Sequence, residues 1–331
     1  MLVTPPAVED RIPDQFGRGL AFSGDRLLVG APNAAAPVTM TGRIEIWRHQ
    51  HGGWEREGES VAPAPDFSGW HGRDVAPYGE LAAVVEAGHD LRGKDRGPDA
   101  KVHVGQFCNG ALTTHSTLAV PFAQSVAFQN DLLVVGTANP SADQQSGRPG
   151  VIPYSITRDA AGGLTLLAQP QLMPTSTAYG YKALARVALH GDLLLVGSPG
   201  REVEGIRHRG AVYRYRRQPS GQWAAVGELT PAAASETAFG IEVAVNDTWQ
   251  AGGSAATRCA TVRPVPDGKI EGRLPHVHAI GRSPTSPHGK SSLGSEPGPM
   301  ELAVAAKRLG IEVEYRQGHW TDAVVGGPGM D

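Results

Sequence analysis

Residues 16–32 read Phe16-Gly17-Arg18-Gly19-Leu20-Ala21-Phe22-Ser23-Gly24-Asp25-Arg26-Leu27-Leu28-Val29-Gly30-Ala31-Pro32, and the same pattern returns five more times along the chain. Within it, Arg18–Phe22 and Arg26–Gly30 read as two short strands joined by Ser23-Gly24-Asp25, a turn of residues that tolerate positive φ. Leu27, Leu28 and Val29 form the short apolar run of a strand covered on both faces. Pro32 ends it, since proline has no N–H to give a ladder.

Working outward, a polar loop runs to Thr41. Gly42-Arg43-Ile44-Glu45-Ile46-Trp47 then alternates as a strand with one covered face. Gly52-Gly53-Trp54 turns the chain into a fourth strand, which ends at Val61-Ala62-Pro63. Four strands in about fifty-five residues make one small sheet that cannot bury both of its faces alone, and repetition at that period without helical periodicity is the pattern of a β-propeller.

The second copy, from His71-Gly72, is degenerate: its second strand ends in Val84-Val85, its third is Lys101-Val102-His103-Val104 and its turn is Cys108-Asn109-Gly110. The third copy keeps register from Phe122 through Leu133-Val134-Val135-Gly136. A fourth follows from Tyr179-Gly180 and a fifth from Phe239-Gly240. A sixth starts at His288-Gly289, because Ile311-Glu312-Val313-Glu314-Tyr315 matches Ile44-Glu45-Ile46-Trp47. The expectation is an all-β, single-domain propeller over 1–331, with repeats at about 16–70, 71–121, 122–178, 179–238, 239–287 and 288–331. The last is completed by 1–15, because Leu2-Val3-Thr4-Pro5 resembles Leu229-Thr230-Pro231 and would supply the missing outer strand. Seven blades, or an incomplete ring with 257–331 as a separate tail, are the alternatives to six.

Composition fits. In 331 residues there are 43 Gly and 26 Pro beside a hydrophobic fraction of 40%, which reads as a turn-rich β protein with an ample core. A net charge of −3 argues against a general nucleic-acid or anionic-membrane binder. Cys108 and Cys259 fall in different repeats and read as unpaired thiols. No apolar run is long enough to span a membrane, and Met1-Leu2-Val3-Thr4-Pro5-Pro6 lacks the basic and apolar regions of a signal peptide.

Phe16-Gly17 followed by Val29-Gly30-Ala31-Pro32 resembles the FG-GAP repeat of integrin α-chain propellers and many bacterial surface proteins, in the variant without a calcium loop. The resemblance covers residues 16–256 well and 288–320 weakly. It implies a propeller that binds a protein or glycan at one face, in adhesion or lectin-like recognition at an extracellular or cell-surface location. Calcium sites do not carry over: Asp90, Asp95 and Asp99 have the wrong spacing and are interleaved with Arg92, Lys94 and Arg96.

Other motifs carry little chemistry. Gly289-Lys290-Ser291 lacks the first glycine of a phosphate loop, which would fall at Pro284. His276 and His278 share a strand face, but a third ligand such as His288 would have to be brought in by the fold, so ordinary strand histidines are the first reading; His49 and His51 read as strand and turn surface. There is no G-x-S-x-G elbow. No catalytic residue, metal ligand or cofactor is therefore assigned. Trp47, Trp54, Tyr213, Tyr215, Trp223, Tyr315 and Trp320 recur at equivalent positions; packing is the first reading and repeated sugar stacking the second. In an up-and-down blade the 2→3 loops and the 4→1 connections share a face, and binding residues concentrate on such loops. Arg92, Arg96, Arg148, Arg201, Arg207, His208 and Arg209 on the longest 2→3 loops are the expected ligand-binding residues. An enzyme acting on a glycan at the central channel is the competing reading, and a purely structural or truncated repeat protein the third.

Overall fold

The computed structural model describes residues 14–35, 40–65, 69–88, 99–138, 150–160, 163–172, 186–231, 238–246, 249–253, 260–264, 312–315 and 323–326. The first sheet is β1 (Leu20–Ser23), β2 (Arg26–Ala31), β3 (Arg43–Gln50) and β4 (Gly53–Ser60); the second is β5 (His71–Tyr78), β6 (Leu81–Glu86), β7 (Lys101–Cys108) and β8 (Ala111–Ala119). β9 (Ala123–Gln129), β10 (Leu132–Thr137), β11 (Val151–Arg158) and β12 (Leu164–Ala168) form the third. The fourth is β13 (Arg186–His190), β14 (Leu193–Ser198), β15 (Ala211–Arg217) and β16 (Trp223–Leu229). β17 (Glu242–Val245), β18 (Trp249–Gly253) and β19 (Ala260–Pro264) make a three-stranded sheet, and β20 (Glu312–Tyr315) and β21 (Ala323–Gly326) a hairpin.

Every strand pairs antiparallel with its neighbours in sequence, so each sheet is a meander. The first strands β1, β5, β9, β13 and β17 lie against one another in succession, while the fourth strands carry most of the exposed positions. These are blades of a β-propeller, described through four complete sheets. The expected closure by residues 2–5 lies outside the described residues.

The second strands β10 and β14 are buried on both faces throughout, because the third and fourth sheets each lie between two others. Leu28, Ile44 and Ile46 pack on Val75, Ala82 and Val84 between the first two sheets, and Leu133, Val135 and Phe128 on Val102 and Val104 between the next two. Each such valine, leucine, isoleucine or phenylalanine contributes about 1.5–3 kcal/mol through burial. Trp47, Trp54, Tyr213 and Tyr215 are buried in these layers, which supports the packing reading of the aromatic series.

The Phe-Gly and Val-Gly signatures have a steric cause. A Cβ on Gly30 would stand 2.0 Å from the Gly72 carbonyl oxygen, and one on Gly197 would stand 2.0 Å from that of Gly240. Val-Gly of one blade thus receives the backbone of the next blade's first strand at a distance that admits no side chain. At the other end of the blades, hairpins such as Gly24-Asp25 and Gly79-Glu80 connect first to second strands, tied between blades by Gly79 N donating to Ser23 Oγ at 3.0 Å.

Candidate functional site

The 2→3 loops leave the ends of β2, β6, β10 and β14 at the end of the blades where the first strands begin. Of the residues expected there, Arg92, Arg96 and Arg148 lie outside the described residues. The loop carrying the other four runs from Ser198 to Ala211 and is braced from within. Gly210 N donates to Arg201 O at 2.9 Å, and Val203 and Ile206 exchange both backbone bonds at 3.2 and 3.0 Å.

Two of its arginines serve this scaffold. Arg201 pairs with Glu228 and lies 5.1 Å over the Tyr213 ring, and Arg209 is buried and paired with Glu204. The Arg201 guanidinium is thus paired on β15 and β16, and that of Arg209 within its own loop. A residue beside Gly210 reads as solvated in sequence; here its carbonyl is needed by the next blade, since Phe239 N donates to Arg209 O at 3.0 Å. Arg207, with 84% of its side chain exposed, and exposed His208 stand at the tip beside Ile206. Among the described arginines of this loop, Arg207 is the most exposed, with a 3.9 Å contact to Glu202.

Along the first strands, Arg186 bonds Asp74 at 3.7 Å through Nη1 and Glu242 at 3.4 Å through Nη2. Asp74 Oδ2 also accepts from Val126 N at 2.9 Å, and Arg73 Nη2 donates to Gln124 Oε1 at 3.2 Å. This polar row ties first strands together.

A second group at the loop end was not legible as a site. His71 opens β5, Glu86 closes β6 and His103 sits near the start of β7, so three consecutive strands bring them to one end of one sheet. All three are buried, at 1%, 2% and 3% exposure, and one donor atom from each lies within 4.8 Å of the others. His103 Nε2 is 2.6 Å from Glu86 Oε2, and its Nδ1 is 3.0 Å from Thr117 Oγ1. Glu86 Oε1 takes Lys101 Nζ at 3.4 Å. The His71 and His103 rings lie 5.3 Å apart between centroids.

His71 is the exception in this network. Neither of its ring nitrogens has a hydrogen-bond partner among the described residues. Burial, with a smaller contribution from neighbouring His103, pushes its pKa down from 6.5 to about 3, so the ring is neutral at physiological pH and keeps a nitrogen lone pair. An unmet buried polar group costs about 1–3 kcal/mol. Two imidazoles and a carboxylate are the donor set that suits zinc and its first-row neighbours. The available signal was the start of the second copy at His71-Gly72, where the first, third and fifth copies begin with Phe16, Phe122 and Phe239.

No family model and no curated protein matches the sequence. Among solved structures, the chain is similar to the endo-arabinase of Bacteroides thetaiotaomicron (15% identity, 79% of this chain and 97% of that one, TM-score 0.41). It is similar also to the β-propeller domain of the Trilobed protease of Pyrococcus furiosus (12%, 75% and 65%, TM-score 0.38). A third is the Bombyx mori GH32 β-fructofuranosidase (10%, 74% and 59%, TM-score 0.41). Likenesses this distant carry neither a reaction nor a ligand to this chain.

Proposed function

We propose that the chain is a non-enzymatic recognition module, a six-bladed propeller of the FG-GAP type that binds a protein or glycan through the face carrying its 2→3 loops. The observation that supports this best is the braced loop between Ser198 and Ala211, which holds an apolar, a cationic and an imidazole side chain (Ile206, Arg207 and His208) at its tip. A loop already ordered by its own hydrogen bonds loses little further entropy on binding.

The enzymatic reading is less favoured. A glycan-cleaving pair needs one carboxylic acid free to protonate the leaving oxygen. In the row along the first strands, the carboxylates of Asp74 and Glu242 share Arg186. The test is a glycan array and a panel of extracellular-matrix proteins probed with the chain and with a variant carrying Ile206→Ala, Arg207→Ala and His208→Ala. Saturable binding that the variant loses at unchanged melting temperature supports the reading. Equal binding by the variant moves the site elsewhere, and cleavage of an array glycan replaces recognition with catalysis.

A further inference from the structure

We infer that His71, Glu86 and His103 form a binding site for a first-row divalent metal ion of the zinc type, tying β5, β6 and β7 together at the loop end of the second blade.

The pairing register allows the blades to be compared position by position. Val29, Val84, Val135 and Val196 are equivalent, because they face Leu20, Val75, Val126 and Val187 on one side. On the other side they face Glu45, His103, Ile152 and Tyr213. The residue two places after each valine is Ala31, Glu86, Thr137 or Ser198, and the residue four places before the first-strand partner is Phe16, His71 or Phe122. The three positions that converge in space thus read Phe16, Ala31 and Glu45 in the first blade and Phe122, Thr137 and Ile152 in the third. Among the blades in which all three positions are described, the second alone reads His71, Glu86 and His103. A metal-donor residue at each of three positions that converge in space is not required by a packing motif, since the first and third blades pack there with Phe16 and Ala31 or with Phe122, Thr137 and Ile152. The lone buried carboxylate of the first blade, Glu45, is matched instead by Arg43 at 3.4 Å and Arg56 at 3.3 Å.

The geometry supplies the remaining features of such a site. An imidazole that binds a metal donates its other N–H to an oxygen that fixes its tautomer, and His103 Nδ1 has Thr117 Oγ1 for this, leaving Nε2 toward Glu86. Glu86 presents Oε2 inward while Lys101 holds Oε1. The unpartnered His71 nitrogens supply the third donor. Bonds of about 2.0–2.1 Å in a tetrahedron set donors about 3.3 Å apart, so the ion takes the place of the proton between His103 and Glu86 and spreads that pair while drawing His71 in. Calcium and magnesium, which demand oxygen ligands, suit the site poorly. Three protein ligands leave a fourth position for water or an oxygen of a bound molecule. The proposal stands independently of the recognition role above.

The test is zinc titration of the chelator-stripped full chain by calorimetry and by melting temperature, with His71→Phe, Glu86→Gln and Thr117→Val beside it. His71→Phe installs the residue of the first, third and fifth blades, so it folds. Expected are one zinc per chain with a rise in melting temperature, loss of both in His71→Phe, at least a 100-fold weaker affinity in Glu86→Gln, and about 10-fold weaker affinity in Thr117→Val. Magnesium and calcium leave the melting temperature unchanged. No zinc binding by the parent chain, or equal stoichiometry and melting shift in His71→Phe, overturns the proposal; the second result places the ion on other histidines.

Discussion

His71 and Phe239 occupy the same place in their blades. His71 N donates to Thr41 O at 2.8 Å and Phe239 N to Arg209 O at 3.0 Å, and each residue pairs in parallel with the glycine that follows its acceptor, Gly42 or Gly210. A Cβ on either glycine would stand 2.2 Å from the carbonyl oxygen of the paired residue, so the backbone slot is fixed and only its side chain differs. Phe239 fills that slot with a fully buried ring, while His71 fills it with two unmet nitrogens.

Exchange of His71 for phenylalanine therefore stabilises the metal-free chain, by about 1–3 kcal/mol, since it removes buried unsatisfied groups and adds apolar burial. Urea denaturation in the presence of a chelator measures this.

The same ring sets a pH dependence. His71 has a native pKa near 3 against 6.5 when unfolded, so between these values the unfolded chain binds more protons than the native one. It leaves stability independent of pH above 6.5 and lowers it as pH falls toward 3, at up to about 1.4 kcal/mol per pH unit. His103, Glu86 and Lys101 remain in His71→Phe, so the difference between the two proteins' stability–pH curves reports His71 together with its interaction with His103. The variant's curve is the flatter of the two.

Gly30→Ala and Gly197→Ala each force a Cβ into a neighbouring blade's backbone and cost about 1–3 kcal/mol or more. Gly221, with open space around its Cβ position, has only its positive φ to lose, and Gly221→Ala costs about 1 kcal/mol. Chemical denaturation of the three variants orders them.

In the loop after β14, Arg209→Ala costs about 1 kcal/mol, because it removes a packed ion pair whose acidic partner stays solvated. It also speeds amide exchange at Ala238 and Phe239, which donate to His208 O and Arg209 O. Arg207→Ala leaves stability within about 0.5 kcal/mol and changes no exchange rate.

Blade architecture was readable where local chemistry is strong. The apolar run Leu27–Val29 is the core of β2, Gly24-Asp25 and Asn109-Gly110 are two-residue turns, and the alternation from Arg43 to Trp47 lies in β3. The strand expected from Arg18 starts at Leu20, because Gly17 N and Arg18 N turn back onto Gly30 O at 2.9 and 3.2 Å before the ladder begins. The ion pairs of Arg201 and Arg209 were not readable from loop charge, since an arginine paired within its blade and one that awaits a ligand have the same sequence appearance. The His71, Glu86 and His103 cluster was hidden for a different reason. Its members are 15 and 17 residues apart on three strands, and the substitutions that create it are the ones that blur the repeat. Only the register converts that blur into a place.

The most direct test of the metal site is an anomalous-scattering map from crystals of the full chain grown with zinc. The expected result is one peak bonded at about 2.0–2.2 Å to a ring nitrogen of His71, to Nε2 of His103 and to an oxygen of Glu86. A map in which zinc lies only elsewhere, with His103 Nε2 and Glu86 Oε2 still 2.6 Å apart, contradicts it.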